Sequence, residues 1–129
     1  MKKLTILLRV IGAVQLILGA AYLFAPGAFN ASMKLSPTPH DTNYMFGMLA
    51  ARFIAYGIGM FVIARDPVHN LFWINNMILI QLIDLFVGVF YTVNGTLALS
   101  SSAFPMFDAV LFAGLLFLWR PKQIVSRAN

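Results

Sequence analysis

Cysteine is absent from this sequence. Its absence excludes disulfide bonds, thiolate metal sites, iron–sulfur clusters and thiol redox chemistry, and it leaves the redox state of the compartment unreadable. Charge is also scarce, since Asp, Glu, Lys and Arg make up 10% of the 129 residues while hydrophobic residues make up 60%. Soluble domains carry about a quarter charged residues, enough to cover their outward faces. The composition therefore predicts an integral membrane protein whose solvent is the lipid bilayer.

Motifs of the common enzyme and nucleotide-binding classes are missing as well. The sequence has no Walker loop, zinc-protease helix, nucleophile elbow or dinucleotide-binding fingerprint. The two histidines, His40 and His69, fall in loops on opposite sides of the membrane in the topology given below, so they cannot share a metal ion. The net charge of +5 does not indicate nucleic acid binding, because no basic stripe with interleaved aromatic residues is present. We expect no metal, no cofactor and no nucleic acid partner.

Four apolar stretches are long enough to cross a bilayer, which requires about 20 predominantly apolar residues. The predicted spans are residues 4–24, 43–64, 71–93 and 103–119. Turn or helix-breaking residues such as Asn94-Gly95 separate them. The fourth span is the shortest, with Ser100 to Ser102 available to cap it and Pro105 tolerated in its first turn. The sequence predicts a single-domain, all-α protein, an integral membrane four-helix transmembrane bundle.

Basic residues flank these spans unequally. With the N-terminus in the cytoplasm, seven of the nine Lys and Arg residues lie on the cytoplasmic side, and only Lys34 lies in an outer loop. The seven residues are Lys2, Lys3, Arg9, Arg65, Arg120, Lys122 and Arg127. Because cytoplasmic loops of membrane proteins are enriched in Lys and Arg, both termini are predicted to be cytoplasmic.

The first span has a second interpretation as a cleaved secretory signal peptide. Lys2 and Lys3 precede an apolar stretch, and Gly19-Ala20-Ala21 fits a cleavage site. The stretch is longer than a typical signal core, however, and it contains Arg9 and Gln15. We therefore expect a spanning helix.

The last three spans contain one charged residue each: Arg52, Asp84 and Asp108. With a rise of about 1.5 Å per residue, their predicted depths from the outer surface are about 13, 13 and 9 Å. A charge at the centre of a bilayer costs at least about 2.5–3.5 kcal/mol. Pairing one cation with two carboxylates inside the bundle would remove most of this cost. We expect the three side chains to meet in the outer half of the bundle.

Helical spacing places further polar residues on the same helix faces as these charged residues. Gln81 and Tyr91 share a face with Asp84, Tyr56 shares a face with Arg52, and Gln15 lies close to the midplane of the first span. These seven residues are the candidate ligand-binding set. A purely structural ion-pair network that fixes helix register is the alternative interpretation, although ionisable residues inside a membrane are functional-site hypotheses by default.

The layout resembles the DoxX-like family of small bacterial four-helix inner-membrane proteins. The likeness lies in Arg9-Val-Ile-Gly-Ala-Val-Gln-Leu-Ile-Leu-Gly19, in Leu23-Phe-Ala-Pro26 and in Ala51-Arg-Phe-Ile-Ala-Tyr-Gly-Ile-Gly59. The resemblance implies a multi-pass protein of the bacterial inner membrane. Some members are linked to redox or disulfide pathways, and the lack of cysteine argues against a thiol role here. The architecture is also similar to that of sterol-isomerase-like four-helix proteins, which bind lipophilic ligands in an intramembrane pocket.

Three functions remain open at this point. The first is a protein that binds a lipophilic or amphiphilic small molecule through Arg52 and the aspartates. The second is a proton-coupled transporter or channel that acts as an oligomer, with Asp84 or Asp108 carrying protons. The third is an accessory or assembly subunit of a larger membrane complex. A carboxylate pair beside an arginine can perform acid–base chemistry, but no enzyme-specific motif is present, so we do not expect an enzyme.

Overall fold

The structure is a computed structural model that describes residues 1–122. Its five α-helices are α1 (Lys2–Phe24), α2 (Pro26–Ser32), α3 (Thr42–Ile63), α4 (Leu71–Val93) and α5 (Leu99–Trp119), and a 3₁₀ turn (Val68–Asn70) precedes α4. The described residues contain no β-strand. Helices α1, α3, α4 and α5 are each long and apolar enough to cross a membrane. The all-α, four-span prediction is confirmed, while the flanking Arg127 lies outside the described residues.

Helix α5 begins four residues earlier than the predicted fourth span, at Leu99 instead of residue 103. The chain reverses at Gly95, whose φ of +83° suits glycine, and Leu97 N donates to the Tyr91 carbonyl at 2.9 Å. This reversal leaves a connection of only five residues, 94–98, before α5 begins. The serines at 100–102 therefore lie inside α5 and provide no side-chain cap, in contrast to the prediction.

Helices α1 and α3 form an antiparallel pair in which the backbones touch. A Cβ atom built on Gly12 would lie 2.9 Å from the Gly57 carbonyl oxygen, and one built on Gly19 would lie 2.7 Å from the Ile54 side chain. Small residues at membrane helix contacts allow this close approach. Gly12 and Gly19, which lie on one face of α1, therefore allow the first pair to pack closely.

Helices α4 and α5 form the second pair. Gly88 packs on the Met106 side chain, which a Cβ atom at Gly88 would meet at 2.7 Å. One turn further along, Thr92 Oγ1 lies 2.7 Å from Ser102 Oγ and 2.6 Å from the Gly88 carbonyl oxygen. A glycine contact and a hydroxyl pair thus hold the ends of these helices together beside the short turn.

The two pairs share one apolar core, and it lies entirely at one end of the bundle. We call this end the terminal half (residues 2–14, 55–64, 71–81 and 110–119) and the opposite end, beside the loops at 25–41 and 94–98, the loop half. The buried core residues are Leu4, Leu7, Leu8, Ile11, Met60, Ile63, Ala64, Ile74, Met77, Ile78, Phe112 and Leu116. Every member belongs to the terminal half.

The loop half is packed differently. Its buried residues on the spanning helices are small or polar, namely Gln15, Gly19, Ala50, Ser101, Ser102 and Ala109. No large apolar side chain of the described loop half is buried, and Phe86 and Phe104 are 70% and 77% exposed. The two helix pairs are therefore joined by side-chain packing in the terminal half.

Candidate functional site

The three charged residues of the spans lie at one level of the bundle. Arg52 is ten residues from the start of α3 at Thr42, and Asp108 is nine residues from the start of α5 at Leu99. Asp84 is nine residues from the end of α4. These spacings give depths of about 13–15 Å below the loop side for all three. Asp108 is deeper than predicted because α5 begins earlier, and the three depths agree more closely than expected.

The three side chains do not form the predicted ion pairs. Arg52 Nη1 donates to the Met48 carbonyl oxygen of its own helix at 2.9 Å. Within residues 1–122, the one ion pair joins Asp66 and His69, in the turn before α4. The prediction that Arg52 meets Asp84 or Asp108 is therefore wrong for this structure.

The physical reason is the position of the core. Arg52 is on the first helix pair, whereas both aspartates are on the second, and the apolar core joins the pairs only in the terminal half. In the described loop half no large apolar side chain is buried between the pairs beside the charges. Arg52 and Asp84 are exposed and Asp108 is half-buried, so each charge keeps a surface that faces out of the protein.

Two glutamines mark the level at which the apolar core ends. Gln15 and Gln81 are 6% and 4% exposed. Gln81 Nε2 lies 3.5 Å from the Met77 sulfur of its own helix, and neither glutamine makes a hydrogen bond to another helix of the described chain. Their amides nevertheless retain some accessible surface, since Asn30 Oδ1 is the one fully buried side-chain polar atom without a partner in residues 1–122. Two amide groups with unused hydrogen-bonding capacity therefore lie between the apolar core and the level of the charges.

The two tyrosines of the candidate set have different surroundings. Tyr56 lies in the terminal half, where its hydroxyl accepts a long, 3.5 Å hydrogen bond from Asn76 Nδ2 of α4. Tyr91 is 45% exposed and packs edge-to-face on its neighbour Phe90. Tyr56 is thus a contact between the two helix pairs, one turn from Arg52, and Tyr91 lies near the loop end of α4, away from the glutamines.

Two grooves in the structure lie in the terminal half. One, of about 450 Å³, runs between α3 and α4 and is lined by Ala55, Tyr56, Gly59, Met60, Val62, Ile63, Asn70 and Trp73. The other, of about 350 Å³, is lined by Met1, Lys2, Lys3, Leu4 and Trp119. Tyr56 is the one candidate residue in either lining. Both grooves are therefore separate from the charges of the loop half.

Outside the spans, Asp66 and His69 form a local pair. His69 Nδ1 lies 2.8 Å from the nearer carboxylate oxygen of Asp66. The hydrogen bond from the His69 side chain lowers the pKa of Asp66 below its ordinary value. Asn70 Nδ2 also donates to the Asp66 carbonyl oxygen at 2.7 Å, so the turn is closed by contacts among its own residues.

Metal coordination is not indicated by the part of the chain that the structure describes. No group of three His, Asp or Glu side chains lies close enough there to hold a metal ion. Comparison with known proteins found no family model, no curated protein and no solved structure that matches this chain. The resemblance to the DoxX-like family therefore stays a prediction.

Sequence reasoning missed the contacts at the terminal end. Lys3 Nζ lies 5.9 Å from the centre of the Trp119 ring, and the Arg120 side chain donates a hydrogen bond to Asn75 Oδ1 of α4. The signal was present, because Lys3 and Trp119 end two antiparallel spans on the same side.

Proposed function

We propose that this chain is a small polytopic membrane protein that binds a lipophilic or amphiphilic small molecule in a polar intramembrane pocket of its loop half. The observation that carries the proposal is the division of the bundle. All of the packed apolar core lies in the terminal half, while Arg52, Asp84 and Asp108 lie at one depth beyond it. The exposed apolar side chains and the charges of the loop half offer surfaces for both the apolar and the polar part of such a ligand.

The energetics of the charges support a bound partner. Each charge in the hydrocarbon region costs at least about 2.5–3.5 kcal/mol when nothing compensates it. Arg52 has no carboxylate partner within residues 1–122, and its bond to the Met48 carbonyl oxygen leaves most of its donors unused. An anionic or carbonyl-bearing group of a ligand would accept hydrogen bonds from these unused donors of Arg52.

The candidate residues take distinct roles in this proposal. Arg52 binds the polar head of the ligand, and Asp84 and Asp108 accept hydrogen bonds from its hydroxyl or amine groups. Gln15 and Gln81 offer amides at the floor of the site, and the exposed apolar side chains of the loop half contact its hydrocarbon part. Tyr56 supports Arg52 from one turn below, while Tyr91 lies at the entrance from the loop side.

The topology completes the proposal. The excess of Lys and Arg on the terminal side favours cytoplasmic termini. In a bacterial inner membrane, the loop half and its ligand would then lie in the outer leaflet. A lipophilic molecule would reach the site laterally from that leaflet.

The proposal is tested by identifying what co-purifies with the protein. The wild type, Arg52→Gln and Asp84→Asn are purified in the same detergent, and small molecules are extracted and compared by mass spectrometry. Arg65→Gln, outside the spans on the terminal side, is the matched control. We expect one class of amphiphile to be enriched with wild type and Arg65→Gln and depleted with the other two. Identical extracts from all four proteins would contradict the proposal.

A second candidate function is favoured by an exposed small-residue face on α3. Ala51 and Ala55 are exposed, and a Cβ atom built on Gly59 would meet nothing within 4 Å. Such faces mediate close helix association in membranes, so this face suits an accessory subunit or a homo-oligomeric transporter. Ala55→Leu should lower the oligomeric mass measured by light scattering if the face is used. A proton flux in reconstituted vesicles that Asp84→Asn abolishes would favour the transporter, and equal fluxes would exclude it.

A further inference from the structure

The groove at the terminal end of the bundle combines an apolar lining with two lysines. It lies where α1 begins and α5 ends, and Met1, Lys2, Lys3, Leu4 and Trp119 line its volume of about 350 Å³. We call it the terminal groove. Because it lies at the ends of two spanning helices, it is placed at the boundary between hydrocarbon and lipid headgroups. It is at the opposite end of the bundle from the site proposed above.

The lysines of the terminal groove have no carboxylate partner in the described chain. Lys3 Nζ lies 5.9 Å from the centre of the Trp119 ring, a cation–π distance, and the one ion pair within residues 1–122 is the separate Asp66–His69 pair. Asp66 is also the one acidic side chain on this side of the bundle. Both lysines are exposed. Two cations therefore border an apolar groove that contains no anion from residues 1–122.

Trp119 and Arg120 give the groove the character of a membrane interface. Tryptophan is enriched at the headgroup level of bilayers, where its ring is amphipathic. Arg120 is held beside the groove by its hydrogen bond to Asn75 Oδ1, and its guanidinium lies 4.4 Å from the Phe117 ring centre. A further cation is thus kept near Trp119 by contacts to aromatic and amide groups.

We infer that the terminal groove binds the phosphate headgroup of an anionic phospholipid. The ammonium groups of Lys2 and Lys3 bind the phosphate, and the Trp119 ring contacts the glycerol and the first methylenes. Basic pockets between spanning helices bind acidic lipid headgroups in this manner. The apolar lining favours a lipid over a free phosphate ester, because an ester has no hydrocarbon chain to cover the exposed Met1 side chain and the partly exposed Trp119 ring. This inference is independent of the site in the loop half.

Native mass spectrometry of the purified protein in detergent tests this assignment. Phosphatidylglycerol and phosphatidylcholine with identical acyl chains are titrated separately, and retained lipid is counted. We expect the wild type to retain phosphatidylglycerol preferentially. Lys2→Gln and Lys3→Gln should each reduce that preference about five-fold, since a basic residue near an anionic lipid surface contributes on the order of 1 kcal/mol.

Two control substitutions test whether the lipid preference depends on the groove itself. Lys34→Gln removes a cation at the opposite end of the bundle and should have no effect. Lys122→Gln removes one on the same face but outside the groove lining, and its effect should be clearly smaller than that of Lys2→Gln. An equal loss with Lys122→Gln would overturn the site, because it would show a general attraction of the whole face. Equal retention of the two lipids by wild type would overturn it as well.

Tryptophan fluorescence distinguishes binding of a lipid from binding of a soluble anion. The chain has two tryptophans, so Trp73→Phe leaves Trp119 as the one reporter. Phosphatidylglycerol should shift Trp119 emission, and phosphatidylcholine should not. Glycerol phosphate at matched concentration should leave the emission unchanged. A shift of the same size with glycerol phosphate would show that the groove binds a soluble phosphate ester and not specifically a lipid. That result would refute the inference.

Discussion

Replacing Gly12 by alanine is expected to push α1 and α3 apart. The new Cβ atom would lie 2.9 Å from the Gly57 carbonyl oxygen and 2.9 Å from two carbons of the Phe61 ring. Ordinary contacts of a Cβ atom begin near 3.4 Å. The ring can rotate away, but the carbonyl belongs to a helical backbone. The two helices must therefore separate by several tenths of an ångström along their tightest contact.

The magnitude follows from a comparison with Gly114. A Cβ atom at Gly114 in α5 would meet nothing within 4 Å. Both substitutions gain about 0.5–1 kcal/mol from the higher helix propensity of alanine, so this term cancels in the difference. Overpacking a tight contact costs about 1–3 kcal/mol. Gly12→Ala should therefore be less stable than Gly114→Ala by about 1–3 kcal/mol.

The assay is reversible unfolding of the purified protein in mixed micelles with an increasing mole fraction of SDS, followed by far-UV circular dichroism. The free energies of unfolding of wild type, Gly12→Ala and Gly114→Ala are compared under identical conditions. If the two variants have the same free energy of unfolding, the close approach of α1 and α3 is not a feature of the folded protein. The description of the first helix pair would then be refuted.

Two further contacts can be tested. Because hydrogen bonding to His69 lowers the pKa of Asp66, the bond to the ionised Asp66 carboxylate stabilises the turn at pH values above the ordinary Asp pKa. This contribution is lost as pH falls through the lowered pKa. In an NMR titration of the Asp66 carboxyl carbon, His69→Ala should return its midpoint towards the ordinary value, and an unchanged midpoint would exclude the pair. Thr92→Val keeps the shape of the side chain but removes its 2.7 Å hydrogen bond to Ser102, which should lower the free energy of unfolding by about 0.6 kcal/mol. The same micelle assay measures this loss, and the double variant with Ser102→Ala should lose little more if the two hydroxyls act together.

The fold was predictable because the bilayer imposes it. Four stretches of about 20 apolar residues can satisfy their backbone groups in lipid only as helices, and turn residues such as Asn94-Gly95 end them. The start of α5 was not predictable to the residue. Serines at 100–102 serve equally well as helix caps or as small residues inside a helix. The choice depended on how tightly the chain reversed at Gly95, where Leu97 N bonds back to the Tyr91 carbonyl oxygen at the end of α4.

The candidate site, like the fold, could be predicted from the sequence only in part. The composition and spacing of the sequence by themselves determined the four spans and the common depth of Arg52 and Asp84. These follow from backbone geometry and the apolar solvent, which act along a single helix. They did not determine whether charges on different helices meet.

The tertiary structure decided that question through the distribution of large apolar side chains. Those that pack between the two helix pairs lie in the terminal half, whereas the buried residues of the loop half are small or polar. The pairs are therefore joined at one end, and Arg52 bonds to the Met48 carbonyl oxygen of its own helix instead of to an aspartate of the other pair. Packing between helices depends on which side chains face each other at each level, and a single sequence specifies each face without specifying its partner.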